Sequence, residues 1–449
     1  MSLESKIIHR QLNTTLPIAV AGDGAYLIDK SGKRYIDASG GAAVSCLGHA
    51  HPDVIQAIIE QTQKLAFAHT AFFTSEPAEE LARTLVAQAP DSIEHIYFVS
   101  GGSEAIESAL KIAKQYFFDK GEPKRTKFIS RRQSYHGNTL GALSISGNVW
   151  RRKPFEGLLN PGFHISPCYP YRDQRQDESL PAYGGRIANE LETLILHEGA
   201  GTIVGFVAET VGGATGGVQV APPGYWSRIK EICDQYGILL IADEVMCGMG
   251  RTGSMYACEQ ESFDPDIIAV AKGLGAGYQP IGAMLCSAEI VSTISNGSGA
   301  FLGGHTYLGH PIACAAALAV QKVIKANNLL DRANELGSIF HRCLVETFAS
   351  HPHIGDIRGR GLFWGVELVE CKNTKQPFDA KLNLHQLIKD AALSQGLICY
   401  PGAGTIDGRE GCHILLAPPF IITEKQVLEI CSKLESSISL AIIKITNDK

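Results

Sequence analysis

The stretch that decides the fold is Ile238-Leu239-Leu240-Ile241-Ala242-Asp243-Glu244-Val245-Met246-Cys247-Gly248-Met249-Gly250-Arg251-Thr252-Gly253. Five apolar residues run without polar alternation and end on a carboxylate. Such a run reads as a strand buried on both faces, as in a parallel sheet between helices. The pattern recurs outward in both directions, at His95–Val99, Ile203–Ala208 and Ile267–Ala271. Helix-period segments lie between. In Glu104–Phe117 the apolar positions Ile106, Ala109, Leu110, Ala113 and Phe117 share one face. Tyr225–Tyr236 does the same and stops at Gly237, a suitable residue just past a helix end. Strand–helix alternation predicts an α/β fold: a large, mostly parallel sheet with helices on both faces.

Working outward, residues 1–52 are Gly-rich, with strand-like pieces at Ala25–Ile28 and Arg34–Ile36. Residues 53–325 carry the large sheet and close on an Ala-rich helix from Pro311 to about Lys325. Residues 326–449 alternate helix, hairpin-like strand (Leu362–Leu368), helix (Leu384–Ser394), strand and helix, a smaller α/β unit that the N-terminal segment joins. The polar, proline-bearing stretch Cys168–Gly185 reads as a loop.

The 449 residues are 45% hydrophobic and 19% charged, which excludes a disordered chain, a collagen and a small disulfide-stapled domain. Forty basic residues against 46 acidic ones leave a net charge of −6, so no basic excess calls for nucleic acid or an anionic membrane. No apolar run reaches the ~18 residues that span a bilayer. The opening MSLESKIIHR lacks the apolar core of a secretory signal, and none of the twelve cysteines forms a C-x-x-C pair. A cytoplasmic protein with reduced thiols is expected.

In open α/β sheets, ligands bind beyond the carboxyl ends of the strands. After Val99 comes Ser100-Gly101-Gly102-Ser103-Glu104-Ala105, opening a helix whose amides and dipole favour a phosphate. The pattern is neither a dinucleotide fingerprint nor a Walker loop. After Ala242 comes Asp243, a buried carboxylate that needs a partner: a helix cap, a metal or a cationic ligand nitrogen. A metal would need further ligands, and Glu244 points to the opposite face, so no metal is expected. After Ala271 comes Lys272, facing Gly273-Leu274-Gly275-Ala276-Gly277. Desolvation would make it a nucleophile, and a surface position would leave it snorkelling. Tyr135-His136-Gly137 follows the apolar pair Phe128–Ile129. An aromatic there either stacks on a flat ring or packs under a neighbouring loop. A phosphate, a cationic ring nitrogen and a carbonyl that condenses with lysine meet in pyridoxal 5′-phosphate (PLP).

Over residues 5–440 the chain resembles the class III aminotransferases, a branch of the fold-type-I PLP enzymes. The resemblance rests on IADEVMCGMGRTG (241–253), AKGLGAGYQPIGA (271–283), SYHG (134–137), SGGSEA (100–105) and GGHTYLGHPIACAAALA (303–319). It implies that Lys272 is the Schiff-base lysine and that Asp243 holds the pyridine nitrogen protonated. It implies Val245 and Tyr135 on the two ring faces, with His136 and Glu209 nearby. Gly101, Gly102 and Ser103 would cup the phosphate. Thr306 would be given to a second subunit's phosphate, making a homodimer with shared sites that could pair into tetramers.

The implied reaction is a ping-pong transfer of an amino group from an ω-amino acid or amine to a keto acid. Many family members place a carboxylate-binding arginine where this chain has Leu415. That resembles the ω-amino acid:pyruvate branch and points to pyruvate as acceptor. Arg409, on an upstream loop, is then the candidate for the substrate carboxylate, with Phe72 and Phe73 as pocket aromatics. Arg358 reads as structural. Aminomutases and phospho-lyases of the same fold keep the same cofactor residues, and so would a non-catalytic PLP-binding relative.

Overall fold

The computed structural model describes residues 5–447 apart from Asn13. Its centre is a seven-stranded sheet. In chain order the strands are β1 (His95–Val99), β2 (Lys127–Arg131), β3 (Phe163–Ile165), β4 (Ile203–Glu209), β5 (Leu239–Asp243), β6 (Ile267–Val270) and β7 (Gly282–Cys286). The spatial order is β1-β7-β6-β5-β4-β2-β3. Only β7 runs antiparallel to its neighbours. The interior strands β4 to β7 are buried along their whole length, which is why their sequences are continuously apolar.

One expectation needs correction here. β1 is not fully buried: His95 is exposed and Ile96 and Tyr97 are half-buried. It is the edge of the sheet, so one of its sides has no strand against it.

The helices follow from their apolar stripes. Gly102–Asp119 buries Ala105, Ile106, Ala109, Leu110, Ile112, Ala113, Tyr116 and Phe117 on one side. Tyr225–Tyr236 ends at Gly237 in the left-handed conformation (φ 57°), which a side chain resists. The stretch Cys168–Gly185 is not all loop, a second correction. A helix Leu180–Glu198 begins inside it, capped by Ser179 Oγ, which accepts the Ala182 N–H at 3.3 Å. Its Pro181 lies in the first turn, where no N–H is needed, so proline marked a helix start rather than a loop.

A four-stranded sheet of Ile354–Arg360, Phe363–Leu368, Cys412–Leu416 and Tyr400–Ala403 builds the smaller unit. A third sheet joins the two ends of the chain: Arg34–Asp37 pairs in parallel with Leu397–Ile398. All twelve cysteines are free. Among the described residues no helix is long and apolar enough to cross a membrane.

Candidate active site

The strand termini converge on one side of the sheet. Register sets Asp243, the last residue of β5, beside Glu209 of β4 and Ala269 of β6. Asp243 is 4% exposed, and its two oxygens are held separately. Oδ1 accepts the N–H of Val245 at 3.0 Å, and Oδ2 accepts the Nδ1–H of His136 at 2.8 Å. A carboxylate can only accept, so the proton sits on Nδ1. His136 is buried, and its Nε2 has no partner among the described residues.

Glu209 is buried, and its Oε1 accepts the Gly213 N–H at 3.2 Å. Burial raises its pKa, against the opposing pull of His136 and Arg131. Glu244 faces away from this cluster, as expected. Its oxygens accept from Thr210 Oγ1 and from the N–H groups of Ala257 and Cys258.

Lys272 begins the turn after β6 with φ 44°, a left-handed backbone that a lysine adopts only under constraint. Burial lowers its pKa below the usual lysine value, while Asp243 and Glu209 pull the other way. Its ammonium makes no hydrogen bond or ion pair among the described residues.

At the end of β1 the helix Gly102–Asp119 opens with its N–H groups toward the same side. A Cβ on Gly102 would lie 2.6 Å from Val245 Cγ1, so glycine is what lets the helix start seat against Val245. Ser103 Oγ accepts the Asn138 N–H at 3.0 Å, tying this turn to the Tyr135–Gly137 loop.

The donors fit PLP. A helix start with a serine suits a phosphate, and a pinned carboxylate suits a protonated pyridine nitrogen. A desolvated amine suits an aldehyde, and Val245 sits between them as an apolar surface. His136 Nε2, buried without a partner among the described residues, is a polar atom that a cofactor group beside Asp243 would satisfy.

The class III aminotransferase family model matches residues 7–438. The chain belongs to the class III aminotransferases. It is an aminotransferase, and its cofactor is pyridoxal 5′-phosphate. Over 424 residues it is 45% identical to an aminotransferase of Schizosaccharomyces pombe, covering 94% of this chain and 92% of that one. It is 36% identical to a probable γ-aminobutyrate transaminase 3 of Oryza sativa, over 92% of this chain and 80% of the relative. Among solved structures, a PLP-bound amine transaminase from an uncultivated Pseudomonas species superposes with a TM-score of 0.91. It is 35% identical and covers 98% of this chain and 99% of its own.

In this aminotransferase the remaining expected residues scatter. Thr306, Phe72 and Phe73 line a separate cleft of about 1330 Å³ along the outer edge of β1, and Lys272, Asp243 and Glu209 do not line it. Phe72 and Phe73 lie in a turn rather than a strand and are 80% and 68% exposed. Arg409 is exposed on the loop 404–411. Arg358 is held by Asp356 and Glu367, each at 2.7 Å, and donates to the Gly216 carbonyl.

Two residues escaped the sequence reading. Arg131, buried at the end of β2, donates to the Glu209 carbonyl. It sits at a strand terminus like Asp243, so the same rule would have found it. Gln133 donates from Nε2 to the Gly404 carbonyl at 2.7 Å, joining the two loops over the site. No local pattern signals that contact.

Proposed function

We propose that this aminotransferase moves an amino group from an ω-amino acid or amine to a keto acid, with pyruvate as the acceptor. The observation that carries the reading is Leu415. It is fully buried in the strand Cys412–Leu416, paired with Gly365 and Tyr400. No guanidinium stands there to hold an α-carboxylate, which leaves room for donors whose amine is remote from any carboxylate. Two relatives support it: a protein named as a γ-aminobutyrate transaminase and structures named as ω-transaminases, one from Pseudomonas jessenii.

PLP, when bound, supplies the carbonyl that takes up amines and the ring that withdraws electrons from the reacting carbon. The chain does the rest. Lys272, whose pKa burial lowers, would be the residue that links to the cofactor and moves the proton at the substrate carbon. Asp243, oriented by His136 and the Val245 N–H, would favour the protonated ring nitrogen. Gly101, Gly102 and Ser103 would hold the phosphate, and Val245 and Tyr135 would pack on the ring. Glu209 adds a carboxyl group beside Asp243. Thr306 of a second copy completes the phosphate site, and Phe72 and Phe73 reach the substrate across the same interface. The exposed turn that carries them, beside the open edge of β1, supports this dimer. Arg409 is assigned to the substrate carboxylate.

On the same footing we divide the chain into 1–52, 53–325 and 326–449, supported by the pairing of Ile36 with Leu397. We place it in the cytoplasm, supported by twelve free thiols.

The deciding experiment is the visible spectrum of the PLP-loaded protein against ω-amino acids, α-amino acids and simple amines. Bleaching by ω-amino acids or amines, reversed by pyruvate, is the expected result. A band that no donor moves would favour mutase or lyase chemistry. A band restored only by 2-oxoglutarate would overturn pyruvate.

A further inference from the structure

Arg151 has a position that the roles above do not use. The segment that carries it is stitched onto the Tyr135 loop by backbone hydrogen bonds. Gly147 N–H donates to the Ser134 carbonyl at 3.2 Å and to Ser134 Oγ at 3.0 Å, and Asn148 N–H donates to the same carbonyl at 3.2 Å. The buried Asn148 then caps the short helix Val149–Arg152, its Oδ1 accepting the N–H of Arg151 at 3.2 Å.

This placement lays the Arg151 guanidinium over the Tyr135 ring, 4.7 Å from its centroid, and 5.8 Å from the Trp150 ring. The side chain is half-buried. Among the described residues it makes no ion pair and no side-chain hydrogen bond. The abutting loop carries two acids, Asp407 and Glu410, and neither pairs with Arg151; Asp407 Oδ1 accepts the N–H groups of Arg409 and Glu410, each at 2.8 Å. An aromatic face fixes a guanidinium without using its N–H donors, which stay free for a planar, two-oxygen acceptor.

Tyr135 precedes His136, whose Nδ1 is 2.8 Å from Asp243. The unpaired fork therefore lies against the loop that carries His136 to Asp243. The other arginines near the site differ. Arg358 is paired with Asp356 and Glu367, and Arg409 is exposed.

We propose that Arg151 binds the carboxylate of the keto-acid acceptor and of ω-amino acid donors, with Tyr135 as its platform. Arg409 then closes from the loop as a second, looser contact. The proposal deepens the aminotransferase reading above and rests on it.

The test uses the PLP-loaded enzyme and butanoate, which carries a carboxylate but no amine. Binding is measured by calorimetry for the wild type, Arg151→Ala, Arg151→Lys and Arg409→Ala. Half-reactions are followed spectroscopically with 4-aminobutanoate and with a neutral amine. Loss of a bidentate charged contact predicts that Arg151→Ala weakens butanoate and raises KM for 4-aminobutanoate and pyruvate by about 10- to 100-fold. The neutral amine reacts as in the wild type, and Arg151→Lys restores part of the loss.

Any of four results overturns the assignment. Butanoate could bind Arg151→Ala as tightly as the wild type, or fail to bind the wild type at all. Arg409→Ala could alone abolish carboxylate binding. The neutral amine could lose as much as the acidic donor, which would make Arg151 a brace for Tyr135. A wild type that no donor bleaches would sink the aminotransferase cycle instead, while the butanoate titration still decides the role of Arg151.

Discussion

His136 donates to Asp243 across 2.8 Å, and both side chains are buried. With the Val245 N–H on the other oxygen, the carboxylate cannot rotate without breaking a bond. A buried acceptor left unmatched costs ~1–3 kcal/mol. Replacing His136 by Phe should therefore lower the stability of the PLP-free protein by about that much, read from urea unfolding. Asp243→Asn should fold and lose at least ~100-fold in kcat, because an amide cannot hold the ring nitrogen charged. Wild-type kcat in Asp243→Asn would remove Asp243 from the chemistry.

Gly102 and Val245 form a second coupled pair. Gly102→Ala forces a Cβ to 2.6 Å from Val245 Cγ1, so either the helix start or the valine must shift. PLP affinity should fall by roughly tenfold, and Val245→Ala in the same protein should restore part of it, a coupling of ~0.5–3 kcal/mol. Strictly additive effects on PLP affinity would mean that the two residues do not share the cofactor's surface.

The proposed shared active site makes a prediction about mixtures. Lys272→Ala and Thr306→Asp should each give folded dimers of little or no activity. Refolding the two together should recover about a quarter of wild-type turnover, since half the dimers are mixed and each holds one intact site. No recovery in verified mixed dimers would confine the site to one chain.

His413 should contribute to acid sensitivity. It is fully buried, its Nδ1 accepts from Thr405 Oγ1 at 2.6 Å, and its Nε2–H donates to the Ala214 carbonyl at 2.8 Å. Burial, with Arg358 nearby, lowers its pKa from 6.5 to about 4. Between those values the unfolded chain binds a proton that the folded one refuses, so stability falls as pH drops from 6.5 towards 4. The loss is roughly 3 kcal/mol at the acid end. His413→Gln should be less stable at pH 7 but show a shallower acid slope in urea unfolding. Parallel slopes would acquit His413.

Much of this was legible from local pattern. The interior strands are continuously apolar because helices cover both faces, and the polar group after each run had to lie at a strand end. β1 and the helix at Leu180 were misread for opposite reasons. β1 looks interior because its Ile96 and Tyr97 pack partly inward, but its neighbours in space are set by the strand order. Leu180–Glu198 looks like loop because Pro181 and two glycines open it, although proline in the first turn breaks no hydrogen bond. Arg131 needed only the strand-end rule. Gln133 needed a contact 271 residues away, which no periodicity records.

The order of residues along the chain was enough to name the cofactor chemistry. A glycine-rich helix start, a carboxylate and a lysine each end an apolar run, and a buried parallel sheet has to gather such ends on one side. Packing alone decided which of those groups touch. Asp243 finds His136 107 positions away, Gly102 seats on Val245, and Arg151 lies on Tyr135 while Arg409 stays in solvent. Those pairings depend on register, side-chain direction and the close fit of loops to each other. None of these is carried by composition or spacing, because many packings satisfy the same pattern of apolar and polar residues.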